Sequence, residues 1–236
     1  MKFLRYDKLG RDITAIIPDM PTCKIVTYPD PISYATGLAE QNRILEAVLT
    51  SDGVDTLMLL EHTPTITVGR GSVPTDLLRS HDDLRADGID VVETDRGGEI
   101  TYHGPGQLVA YPILNLEAHG RDLHQYLRKL EETIIRTIAH FGIDGERDPG
   151  YTGVWTNNRK IAAIGIKARR WVTMHGIALN VDDDLTPFRR DFVPCGISDR
   201  GVTSMQEELS VPISRAQVEP VFISQFCEIF DVAAVV

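Results

Sequence analysis

The chain has 236 residues, of which 42% are hydrophobic and 25% charged, the make-up of a folded globular protein and not of a disordered or membrane-embedded one. Its net charge of −10 argues against a nucleic-acid partner, because neutralising phosphates needs a basic surface. No apolar run approaches the roughly 18 residues of a membrane span, and the opening from Met1 to Lys8 lacks the apolar core of a secretion signal, so a cytoplasmic location with no membrane partner is expected.

No repeat or linker divides the chain, and one domain over residues 1–236 is expected. Asp30-Pro31 is read as the cap and first-turn proline of a helix carrying Leu38, Leu45 and Val48 and ended by Asp52-Gly53. Strands are predicted over 56–60 and 65–68, a helix over about 75–86, and further strands over 89–93, 99–102 and 108–114. The clearest helix runs over about 121–141, where Leu123, Leu127, Leu130, Ile134, Ile138 and Phe141 recur at three- and four-residue spacing and form a core stripe. Two more strands, 160–167 and 172–181, read as a hairpin. A last helix follows Ser214, with Gln217 placed to complete a capping box and Pro220 inside it. Several strands adjoin without a helix between them, so the predicted fold class is α+β, with a mixed, largely antiparallel sheet and packed helices.

Three segments are candidates for chemistry. Arg96-Gly97-Gly98-Glu99-Ile100-Thr101-Tyr102-His103-Gly104-Pro105-Gly106-Gln107 places two glycine-bearing turns around a short strand. This pattern suits either a tight hairpin with a structural histidine or a backbone that approaches a ligand closely, and it is no phosphate-binding loop. In the hairpin, alternation puts Lys160 on the face of Ala162, Ile164 and Ile166, and His175 on the face of Ile177, Leu179 and Val181. With Arg169-Arg170 as the turn, Lys160 faces Leu179 and His175 faces Ile164. Lys160 either opens the strand and reaches water, or sits inside, where a desolvated amine becomes an acid–base group. The third segment, Phe192-Val193-Pro194-Cys195-Gly196-Ile197, holds a cysteine between proline and glycine, either an inert thiol or a nucleophile activated by a nearby cation. Cys23, Cys195 and Cys227 are too widely spaced for a disulfide framework or a thiolate metal site, and no metal is expected. From Trp155 to Val181 there is no acidic residue, while Arg159, Lys160, Lys167, Arg169 and Arg170 are basic, which marks either a solvated rim or a landing place for an acidic partner.

Together these segments resemble the lipoyl(octanoyl) transferases, relatives of the biotin and lipoate protein ligases. The resemblance covers about 35–207 and rests on Glu61-His62-Thr63-Pro64, Thr67-Val68-Gly69-Arg70, Arg96 to Gln107, Gly153-Val154-Trp155, Arg159 to Gly165, His175 to Asn180 and Pro194-Cys195-Gly196-Ile197. It implies the ligase-like fold, a mixed sheet with helices on one side. It also implies transfer of an octanoyl group from acyl carrier protein to a lysine of lipoyl domains, those of 2-oxoacid dehydrogenase E2 subunits and of the glycine cleavage H protein, through a cysteine thioester. Carried over residue by residue, the nucleophile falls on Cys195 and its proton partner on Lys160. The acyl contacts fall on Arg96, Gly97, Gly98, Glu99, Ile100, Thr101, Tyr102 and His103, on Ala163, Ile164 and Gly165, and on Gly176, Ile177 and Ala178. No cofactor is implied beyond the phosphopantetheine of the carrier, which bears the acyl donor.

Overall fold

The computed structural model describes residues 3–4, 20–50, 53–192 and 200–235. An eight-stranded sheet forms from β1 (Phe3–Leu4), β2 (Thr22–Thr27), β3 (Thr56–Leu60), β7 (Gln107–Ile113), β8 (Val154–Thr156), β9 (Arg159–Arg169), β10 (Val172–Asn180) and β11 (Ala233–Val235). Its order is β1-β11-β2-β3-β7-β10-β9-β8. Only β11–β2 and β2–β3 pair in parallel, so the sheet is mixed and largely antiparallel. A three-stranded sheet holds β4 (Thr65–Val68) between β5 (Asp90–Glu93) and β6 (Ile100–His103).

Residue alternation in the central strands explains both faces of the large sheet. On one face Leu57 and Leu59 of β3 and Leu108 and Ala110 of β7 pack with α3 (Leu123–His140) and α6 (Arg215–Phe230) through Leu130, Ile134, Ile138, Phe222 and Phe226. On the other, Met58, Leu60, Val109, Tyr111 and Ile113 meet α1 (Tyr34–Leu49) through Ile44, Leu45 and Val48. Helices therefore cover both faces and not one side, because both faces of β3 and β7 are mainly apolar and every residue of the two strands is buried. A third cluster joins the small sheet to α2 (His81–Ala86) and α4 (Thr186–Arg190) through Ile66, Ile100, Tyr102, Leu84 and Phe188.

The long helices follow their local signals. Asp122 caps α3 by accepting from the backbone of His124 and Gln125, and Ser214 with Gln217 makes the capping box of α6, with Pro220 inside. The first helix starts later than Asp30-Pro31 suggests: Ser33 is its cap, while Ile32 bridges to His62. An extended residue bonded to a neighbouring strand cannot also open a helix. The segment predicted as one helix over 75–86 splits into a 3₁₀ turn, Pro74–Asp76, and α2, capped by Ser80. The hairpin turns at Arg170-Trp171, both at positive φ, 49° and 65°, the geometry of a primed turn. His175 consequently pairs with Ile166, not with Ile164. Among the described residues no helix is long and apolar enough to cross a membrane.

Candidate active site

The glycine-rich stretch brings the two sheets into backbone contact. Gly97 donates its N–H to Ile166 O at 2.8 Å, and a Cβ on Gly165 would lie 2.7 Å from Gly97 O, an approach open only to glycine. Beside this contact lies a cavity of about 220 Å³. Arg96, Gly98, Glu99, Ile100, Thr101 and His103 line it from the small-sheet side. Ala163, Ile164 and Gly165 of β9 and Gly176, Ile177 and Ala178 of β10 line it from the large sheet, and Lys160 reaches it as well. Two predicted contacts lie elsewhere. Gly97 forms the inter-sheet contact, and alternation along β6 turns Tyr102 into the third cluster, edge-on to Phe188 at 5.7 Å.

Lys160 is 8% exposed, so it is an interior residue and does not open a strand toward water. Its backbone is held by the segment 201–203, its N–H donating to Gly201 O and its carbonyl accepting from Thr203 N–H, each at 3.0 Å. Its amine lies 5.5 Å from the centre of the Trp155 ring. Cys195 falls outside the described residues. The chain before that stretch ends in Phe192, buried in the third cluster, and the chain after it runs beside Lys160 through the Lys160–Val202 bridge.

Three histidines complete the polar end of the site, and their partners fix each tautomer. His62 donates from Nδ1 to Ile32 O at 3.0 Å and accepts at Nε2 from the Tyr111 hydroxyl at 2.7 Å. Gln107 donates to Tyr102 O and to Asn180 Oδ1, leaving its Oε1 to accept from His103 Nδ1–H at 2.8 Å. His175 donates from Nε2 to Asp95 Oδ1 at 3.3 Å and accepts at Nδ1 from the Tyr34 hydroxyl at 3.4 Å. Burial lowers His62 and His175 to about 4 and holds His103 well below the ordinary histidine value. Burial therefore favours the neutral form of all three. Partial burial pushes the Asp95 carboxyl up, but hydrogen bonds from Lys167 and His175 outweigh it and hold the group low.

His175 departs from the predicted pleat. Its φ of 57° breaks the alternation, so the ring leaves the side of Ile177, Leu179 and Val181 and joins Tyr34 and Tyr111 near α1. Its N–H compensates by donating to Gln41 Oε1 at 2.7 Å. Next to it, a Cβ on Gly176 would lie 2.3 Å from Ala110 O. Sequence reasoning missed Tyr34, Tyr111 and the loop 150–152 as cavity walls. For Tyr111 the usable signal was its alternation with Val109 and Ile113; Tyr34 offered only its place in a helix's first turn.

The chain matches the lipoyl protein ligase A/B catalytic domain over residues 33–227. It is 49% identical over 207 residues to an octanoyltransferase of Chloroflexus aggregans, covering 86% of this chain and 93% of that one. An octanoyltransferase of Gloeobacter violaceus is 46% identical over 214 residues, with 90% and 92% covered. Among solved structures, a T. acidophilum protein described as a lipoate protein ligase, with bound lipoic acid, superposes with a TM-score of 0.72 at 16% identity, covering 92% of this chain and 88% of that one. That likeness carries the fold, and the sequence relatives carry the activity class: the chain belongs to the lipoyl protein ligase A/B catalytic-domain family, with the octanoyltransferases among its relatives, and is an acyltransferase.

Proposed function

We propose that the protein takes an octanoyl group from the phosphopantetheine thioester of acyl carrier protein onto Cys195 and passes it to a lysine of lipoyl domains, the first step of protein lipoylation. The observation that carries this reading is the buried amine of Lys160 at a cavity with apolar walls from Ile100, Ile164 and Ile177. Lys160 accepts the proton of the Cys195 thiol. The thiolate attacks the acyl carbonyl, the bond to the pantetheine sulfur breaks, and that sulfur leaves with the proton returned by Lys160. The acceptor amine then attacks the Cys195 thioester, loses its proton to Lys160, and the cysteine leaves as the thiol. Thioester exchange is nearly isoenergetic, so the first transfer needs no ATP. Burying a seven-carbon tail at roughly 0.8 kcal/mol per methylene contributes about 5 kcal/mol, enough to favour a medium chain over a short one.

Intact-mass measurement after incubation with octanoyl carrier protein and no ATP tests this. The expected result is one added octanoyl group, removable by hydroxylamine and absent in Cys195→Ser. An adduct that persists in Cys195→Ser, or that forms only with ATP, overturns the reading.

A further inference from the structure

Gly153 and Trp155 belong to none of the steps above, yet both are built around the Lys160 side chain. A Cβ on Gly153 would lie 2.5 Å from the Ala162 carbonyl oxygen, 2.8 Å from Lys160 Cε and 3.6 Å from Nζ, and Gly153 holds φ at 131°, where other residues are strained, so a side chain there would meet both the β9 backbone and the Lys160 stem. Trp155 pairs with Lys160 across β8 and β9, with a register shift between Val154 and Trp155. Such a bulge re-aims a side chain. The ring is 2% exposed and meets two cations: Lys160 Nζ at 5.5 Å and Arg200 Cζ at 5.1 Å from its centre. Arg200 is itself anchored to Asp148. Among the described residues the indole Nε1 is buried without a hydrogen-bond partner, so the ring face, and not the N–H, is the part of Trp155 that is in use.

We propose that Gly153 and Trp155 are positioning residues that seat the Lys160 amine, Gly153 by leaving room for its stem and Trp155 by holding the ammonium over its ring. The proposal rests on the acid–base role given to Lys160. A cation over an aromatic face is attracted by the ring quadrupole, and misplacing a proton-transfer group slows the chemical step without weakening substrate binding.

The test uses full-length protein with octanoyl carrier protein as donor. Trp155→Leu is expected to lower kcat on the order of tenfold with KM within about twofold, whereas Trp155→Phe, which keeps a ring and removes an unsatisfied donor, stays within about threefold of wild type. In protein labelled with ¹³C at lysine Cε, the Lys160 ε-methylene resonance is expected upfield from the ring current in wild type and Trp155→Phe, and at an ordinary position in Trp155→Leu. Gly153→Ala is expected to move the same resonance and lower kcat. Equal loss of kcat in the leucine and phenylalanine variants, or a Lys160 resonance indifferent to the ring, overturns the seat. Lys160→Ala separates the two ideas: wild-type transfer by that variant removes the acid–base role, while the Lys160 ring-current shift, compared between wild type and Trp155→Leu, still reports on the seat.

Discussion

Asp183 carries its carboxyl into the interior at 7% exposure, and among the described residues neither oxygen has a hydrogen-bond partner. Burial raises it to about 8, joined by the charges of Asp182 and Asp184 and only partly offset by the nearby backbone N–H groups of Asp183 and Val181, which lie outside good hydrogen-bond geometry. A carboxyl whose folded value lies above its unfolded one gives its full stability below the unfolded value, near 4, and loses it as pH rises through the folded one. Between pH 4 and 8 this difference amounts to an order of 5 kcal/mol. Asp183→Asn keeps the shape and removes the ionisation. Its melting temperature is expected to match wild type near pH 4 and to exceed it by on the order of ten degrees at pH 8. A gap that does not widen with pH would show that Asp183 ionises at no expense to the fold. The three neutral histidines follow the same logic with opposite sign: each folded value is depressed, so protonation below about pH 6 works against the fold.

Helix α3 shows what an element owes to its own sequence. Asp122 satisfies two otherwise orphaned N–H groups at 2.8 and 3.1 Å, and the stripe behind it buries Leu130, Ile134 and Ile138 completely. Asp122→Ala is expected to lower stability by about 1 kcal/mol, read from urea unfolding with an unchanged slope. Elements of this kind, with a cap and a period in one contiguous stretch, are legible in sequence, as are β3, β4, β7 and the β9–β10 hairpin. The edges were not. β2, Thr22–Thr27, alternates Cys23 and Ile25 inward with Lys24 outward, but its partners β3 and β11 come from distant parts of the chain, and no turn announces them. The site divides in the same way. Family motifs on recognisable strands named Lys160 and most of the residues that line the cavity, whereas the hairpin turn lay one residue later than placed and His175 faced the other way. A single residue at φ 57° undoes an alternation rule and leaves no mark in composition.

At the scale of the whole molecule the question is how an acidic protein would meet the acidic carrier proposed as its donor. The acid-free stretch from Trp155 to Val181 suggested a basic landing place, but other elements supply the missing acids. Arg159 pairs with Glu207 and Glu208, Lys167 with Asp95, and Arg169 with Glu46, while Lys160 is inside. Of the five basic residues, Arg170 at the hairpin turn is the exposed one without an acidic partner among the described residues. A sequence window counts charge along the chain, and docking responds to charge in space. With a net charge of −10 and its basic hairpin largely compensated, the protein has little local field to draw in a second acidic protein, and the long-range term between them is repulsive. Salt screens repulsion as well as attraction, over about 10 Å at 0.1 M. The expected outcome is that kcat/KM for octanoyl carrier protein stays level or rises by up to about twofold as salt increases from about 10 to 150 mM, and that Arg170→Glu changes it by less than about threefold. A steep fall across that range, abolished by Arg170→Glu, would restore the hairpin as a basic docking surface and show that its acidic partners release it when the carrier arrives.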